Sequence, residues 1–167
     1  MADTFVKIAT VTVGSGGASS IDFTSIPSTY TDLVIKLSAR DTGANTNYNL
    51  IFNNDSSAIY DTLRLYGNGS STFSDKFTNQ NAGYIGWQTQ STYTANTFSN
   101  NEVYIPNYAG SSYKSVSNDG VSENNATAAQ QTFQSVLWGS TAAINRITIS
   151  QTMAQHTTAT LYGIKSS

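Results

Sequence analysis

Apolar and polar residues alternate along this chain in short runs with a period of two, the spacing of a strand that buries one face and wets the other. The clearest run is DLVIKLSAR, where Leu33, Ile35, Leu37 and Ala39 point one way and Val34, Lys36, Ser38 and Arg40 the other. Upstream, Phe5 to Val13 (FVKIATVTV) is rich in β-branched residues and stops at GSGGASS, whose glycines let the chain turn. Ile21 to Phe23 puts two apolar residues on alternate positions ahead of the break at Pro27. A turn through DTGANTN then leads into YNLIFNND, where Leu50 and Phe52 alternate with Asn49, Ile51 and Asn53, and the two flanking runs predict a hairpin. AIYDTLRLYG sets Leu63 and Leu65 against Arg64 and Tyr66 and ends at GNGSS, a stretch tolerant of positive φ.

The next segment, Ser70 to Ala82, is polar and aperiodic and reads as a surface loop. Tyr84 to Trp87 and Asn101 to Tyr108 are short strand candidates, the second with Val103 and Ile105 against Glu102 and Tyr104 and with Pro106 marking an edge. Tyr113 to Ser117 reads as a further short strand, and SENNATAAQQ, residues 122 to 131, is the one place where a helical turn fits. QTFQSVLWG, INRITIS and TATLYGIK supply three late strands that predict a meander, with Phe133, Ser135 and Leu137 sharing one face, Ile147 and Ile149 another, and Leu161 near the end. About ten short strands separated by turn residues, with no amphipathic helices between them, predict an antiparallel two-sheet β-sandwich, jelly-roll-like, in a single domain over 1–167.

Composition sharpens this picture. Only 11% of the 167 residues are charged, against about 25% in an average globular chain, and Ser, Thr and Asn take their place. Thr, Tyr and β-branched residues suit a pleated surface, and Ser, Asn and Gly suit turns. An aromatic content of 11% with regularly placed Val, Ile and Leu argues for an ordered core and against a disordered polar tract. Eight thinly spread basic residues and a net charge of −2 offer no stripe to neutralise phosphates, so nucleic acid is not an expected partner. No apolar run approaches the roughly 20 residues of a membrane span, so no membrane is expected either. MADTFVKIATVTV lacks the basic and apolar regions of a signal peptide, which implies synthesis in a cytoplasm.

Candidate chemistry is sparse. There is no cysteine, which removes disulfides, thiolate nucleophiles and Cys-type zinc sites. The single histidine, His156, has no neighbouring acid to orient it as a base. The ten acidic residues form no local pair of the kind that hydrolyses glycosides, and no G-x-S-x-G elbow is present. The oxygen-rich stretches Asn53 to Ser57 and Ser117 to Gly120 could ligate calcium but lack the spaced D-x-D-x-D-G loop, and read first as Asx-turns. GSGG at residues 14 to 17 lacks the Lys-Ser/Thr tail of a phosphate loop. No catalytic residue, cofactor or metal ligand is therefore predicted. The aromatics remain: Tyr66, Tyr84, Trp87, Tyr104 and Tyr108 fall near strand ends or loops, where they are candidates for a binding surface or subunit interface, with core packing as the competing reading.

Three pieces of the chain, VKIATVTVGSGGASSIDFTSIPSTYTDLVI, VIKLSARD and INRITISQTMAQHTTATLYGIK, resemble a group of small structural proteins of tailed bacteriophages, notably of cyanobacterial and other marine hosts. The resemblance covers mainly the first forty residues and the last thirty, and rests on strand and turn patterns such as SIPSTYTDLVI and ATLYGIK. It implies a β-sandwich that assembles with itself as a homotrimer and sits on the virion as a capsid decoration, or cement, protein bound to the major capsid protein. The alternative it implies is a tail-fibre or receptor-binding module that recognises a host surface glycan. It assigns no catalytic or ligand residue.

Overall fold

The computed structural model describes residues 4–123 and 130–165. Twelve strands run in chain order: β1 (Phe5–Thr12), β2 (Ala18–Phe23), β3 (Asp32–Ala39), β4 (Tyr48–Phe52), β5 (Tyr60–Gly67), β6 (Thr72–Gln80), β7 (Gly83–Ile85), β8 (Ser99–Ile105), β9 (Lys114–Ser122), β10 (Gln130–Trp138), β11 (Ile147–Met153) and β12 (Thr158–Ile164). They build an antiparallel sandwich of one eight-stranded sheet, ordered β1-β12-β3-β8-β9-β10-β5-β6, and one four-stranded sheet, ordered β2-β11-β4-β7. The expected two-sheet β-sandwich is the observed fold.

The core lies between the sheets. From the wide sheet it takes Leu33, Ile35 and Leu37 of β3 and Val103 and Ile105 of β8; from the narrow sheet it takes Leu50 and Phe52 of β4 and Ile147 and Ile149 of β11. These are the positions the alternation placed on one face. At one end Trp138 packs against Phe52 at 5.4 Å and stacks on Tyr60 at 6.4 Å between ring centroids. The Trp138 indole N–H donates to Asp55, and the Tyr60 hydroxyl donates to the Asp55 carbonyl while accepting the Phe52 N–H, so the polar tips of this aromatic cluster are satisfied. Burial pushes the Tyr60 phenol up to about 12.

Several local readings are corrected by long-range pairing. Leu33 and Leu50 do not belong to one hairpin, because β3 lies in the wide sheet and β4 in the narrow one. Nor do the last three strands form a meander. β10 pairs with β9 and β5, β11 with β2 and β4, and β12 with β1 and β3, so the chain crosses between sheets twice. The meander is instead β8-β9-β10. Most of Ser70 to Ala82, read as a loop, is the nine-residue edge strand β6, whose pairing to β5 tolerates polar residues because much of it faces solvent. Ser117 to Gly120, read as a turn, lies inside β9. Of the proposed helical turn over 122–131, residues 124–129 lie outside the described residues, while Ser122 and Gln130 belong to β9 and β10.

Alternation also hides an inversion. On β5 and β10 the usual reading, apolar side inward, is reversed: Thr62, Arg64, Thr132 and Gln134 are buried, whereas Leu63 and Leu65 stand 56% and 61% exposed and Phe133 52% exposed. The registers Leu65 to Phe133 and Leu63 to Ser135 confirm that these residues share the outer face of the wide sheet.

On the outer face of the narrow sheet, Asp22 accepts hydrogen bonds from Arg146, Thr148 and Ser20. Burial raises this carboxyl, but the bonds from Thr148, Arg146 and Ser20 together outweigh it and hold the group below its ordinary value of 3.8. Stability from a depressed carboxylate is present above the unfolded-state pKa and is lost as the pH falls through the folded-state pKa. Asp22→Asn is therefore expected to lower stability at neutral pH and to flatten its decline on acidification below pH 3.8, checked by urea titration at a series of pH values.

Candidate functional site

The inner face of the wide sheet changes character along its strands. Near Trp138, which pairs with the buried Lys114, it is mainly apolar, with Val136 and Val116 next in line, and further on it carries buried polar side chains: Arg64, Gln134 and Asn118 in adjacent register, followed by Thr132 and Asn101 on either side of Gly120. The segment between β7 and β8, residues 86–98, lies over this part. Gly86 N–H donates to the Asn118 side chain, Gly86 carbonyl accepts from Gln134, and Thr89 and Ser122 share a hydroxyl contact at 3.3 Å. Gly86 sits at φ 66°, and a Cβ there would collide with the Asn101 amide, so both conformation and space require glycine. Arg40 organises the rest of the segment. Its guanidinium donates to the carbonyls of Thr94 and Thr97 at 2.8 and 3.1 Å and to those of Ser91 and Tyr93 at 3.2 and 3.0 Å. One planar fork thereby satisfies four carbonyls of a non-repetitive segment.

Arg64 is the centre of the rim. Its Nε donates to Asp75 at 3.1 Å, its Nη2 makes an ion pair with the same carboxylate, and Nη1 donates to Asn47 at 2.7 Å. Three rings surround the guanidinium: Tyr66 at 4.7 Å, Trp87 at 5.1 Å and Phe77 at 5.4 Å from its carbon to the ring centroids. Tyr66 in turn stacks on Phe73 at 4.9 Å, and Tyr84 meets Phe77 edge-on at 5.0 Å. An arginine only 7% exposed is tolerated because carboxylate, amide and aromatic faces replace its hydration.

The five aromatics singled out from the sequence thus divide. Tyr66, Tyr84 and Trp87 converge on the Arg64 cluster, all half-buried. Tyr104 lies elsewhere on the outer face, donating its hydroxyl at 2.8 Å to Asp32, and that carboxylate raises its pKa. Tyr108 is not a surface aromatic: it is fully buried, its hydroxyl donating to the Pro27 carbonyl, because the chain after β8 folds back over the core. Phe73, Phe77 and Arg64 were missed in the sequence, the first two because their strand was read as a loop.

The oxygen-rich stretch at Asn53 to Ser57 is occupied by its own protein. Asn53 Oδ1 accepts the N–H groups of Asn145 and Arg146, and Asp55 accepts from Ser57 and Trp138. Among the described residues no group of three or more His, Asp or Glu side chains is placed to hold a metal ion. His156 is exposed in the turn between β11 and β12, at φ 72°.

The second feature is the outer face of β5, β10 and β9. Leu63, Leu65 and Phe133 form an exposed apolar patch with Val121 in the next row, and Leu137 and Tyr113 stand exposed further toward the other end. A shallow groove of about 560 Å³ runs over the patch between Leu63, Leu65, Ser74, Lys76 and Phe133. Single exposed apolar residues need no explanation, but several together on one sheet face are a candidate contact surface. Searches of known protein families, curated proteins and solved structures return no match to this chain.

Arg64→Met is expected to destabilise the fold by about 2–4 kcal/mol, since it leaves Asp75 and Asn47 without their cation, although Met fills the space between the rings. The measurement is the shift in the urea midpoint, together with a red shift of tryptophan emission as Trp87 gains solvent.

Proposed function

We propose that this chain is a structural protein of a tailed-bacteriophage particle, a decoration protein that binds the outside of the head and stabilises it through contacts with the major capsid protein. The observation that carries the reading is the presented sheet face: an eight-stranded, sparsely charged surface with exposed apolar residues on β5 and β10, beside its β6 edge. Such a surface loses little hydration free energy when covered, because it holds few ions to desolvate. The resemblance of the opening and closing segments to phage structural proteins supports the same reading, as does a sandwich whose polar interior is crosslinked by side-chain hydrogen bonds. The expected result is density for this chain on the head surface in cryo-electron microscopy of the particle, with particles lacking it releasing DNA at lower temperature. Density confined to the tail overturns the reading.

A specific observation favours a second reading, a fibre module that recognises a host glycan. Tyr66 and Phe73 stack at the wall of a groove, with Trp87 tilted against Tyr66 behind them, and aromatic rings of this kind stack on sugars. On that reading Trp87→Ala abolishes binding to host-surface polysaccharide while circular dichroism stays unchanged; equal binding by variant and parent counts against it.

A further inference from the structure

We propose that Asn68 is a site of spontaneous covalent modification: the backbone nitrogen of Gly69 cyclises onto its side chain, and hydrolysis leaves aspartate or isoaspartate in the turn between β5 and β6. The reaction needs no capsid, host or second copy.

The reacting pair occurs once, since Asn68 is the only asparagine in the chain followed by glycine. A side chain on the following residue crowds the nitrogen that must attack, and glycine has none. The Asn68 N–H donates to the Ser71 carbonyl at 3.2 Å and closes a tight turn over Gly69 and Ser70. Gly69 takes φ 85°, the positive value that a two-residue hairpin turn demands of its first central residue. It is exposed, a Cβ built on it meets no atom within 4 Å, and among the described residues its N–H has no protein acceptor. The nitrogen is therefore unhindered and open to water.

The turn also prepares the electrophile. Asn68 Oδ1 accepts the N–H groups of Ser70 at 3.0 Å and Ser71 at 2.9 Å. Two backbone donors on one carboxamide oxygen polarise Cγ and stabilise the negative charge that gathers on that oxygen as a nucleophile adds, the role donors play in an oxyanion hole. Water takes the Gly69 N–H proton as the N–Cγ bond forms and closes a five-membered ring. The Cγ–Nδ2 bond then breaks, and Nδ2 takes up a proton and leaves as ammonia. Water opens the resulting succinimide, at Cγ to give aspartate or at the main-chain carbonyl of residue 68 to give isoaspartate. Nothing is oxidised or reduced, and water is the only co-reactant.

Other positions lack this combination. Asp119 also precedes a glycine, but Gly120 is buried within β9, where the backbone is held extended between β8 and β10. Asn101 and Asn118 are buried in strands and are followed by Glu102 and Asp119. The place of Asn68 gives its conversion a consequence. Gly67 and Gly69 on either side of it line a groove of about 740 Å³ whose other lining residues, among them Tyr66, Phe73 and Phe133, are all uncharged. The product sets a carboxylate on this neutral rim, and isoaspartate lengthens the backbone of the turn that joins β6 to the sheet.

The test is prolonged incubation of the pure full-length chain at mildly alkaline pH and body temperature, beside the same chain unfolded in guanidinium, followed by peptide mapping and ion exchange. The expected result is the amide-to-acid mass gain in the peptide holding residue 68, split between aspartate and isoaspartate forms, with the intact chain eluting as a more acidic species. Conversion at Asn68 in the folded chain is expected to outrun that at every other asparagine and to be at least as fast as in the unfolded chain. Gly69→Ala is expected to slow it about tenfold, a barrier higher by ~1.4 kcal/mol. Asn68→Ser is expected to abolish the mass gain in this peptide with circular dichroism unchanged. A folded rate below the unfolded one overturns the proposal, as does earlier conversion of another asparagine or a Gly69→Ala chain that converts as fast as its parent.

Discussion

Eight strands cannot be covered by four. At about 4.8 Å per strand the wide sheet spans roughly twice the width of its partner, and the excess inner surface must be closed by something other than a sheet. The protein closes it with the 86–98 segment and the aromatic rim around Arg64. A non-repetitive segment brings unpaired backbone groups, so the sheet beneath it presents amides and hydroxyls to meet them. Asn118 and Gln134 do so at Gly86, Arg40 gathers four carbonyls of the segment, and Arg64 sits among the rings of the rim.

The same constraint explains the outer apolar patch. A strand carries its residues alternately to two faces. Once β5 and β10 turn Thr62, Arg64, Thr132 and Gln134 inward to meet the covering segment, Leu63, Leu65, Phe133 and Leu137 have only the outside to occupy. The inversion is thus a single choice of register with two products: a polar interior that fixes the rim and an apolar exterior that favours contact. Polar residues placed inside for structural reasons leave Leu63, Leu65 and Phe133 on the surface.

Low charge fits both products. A surface built from Ser, Thr and Asn keeps the chain hydrated without the strong ionic desolvation that would oppose burial in an assembly.

Much of the architecture was written in the order of residues. The period of two named the core faces of β3, β4 and β8 correctly at Leu33, Ile35, Leu37, Leu50, Phe52, Val103 and Ile105, and composition favoured strands and loops and made a sandwich the expected fold. Those are local properties, and a local pattern carries them. Which strands pair is not local: DTGANTN joins two sheets instead of closing a hairpin, and β10, β11 and β12 separate because each finds its partner far away in sequence. Nor could the pattern tell which of the two faces of β5 would be inside, because Leu63 with Leu65 and Arg64 with Tyr66 alternate equally well in either sense. Only the tertiary structure decided that, by placing an aromatic and carboxylate environment around Arg64.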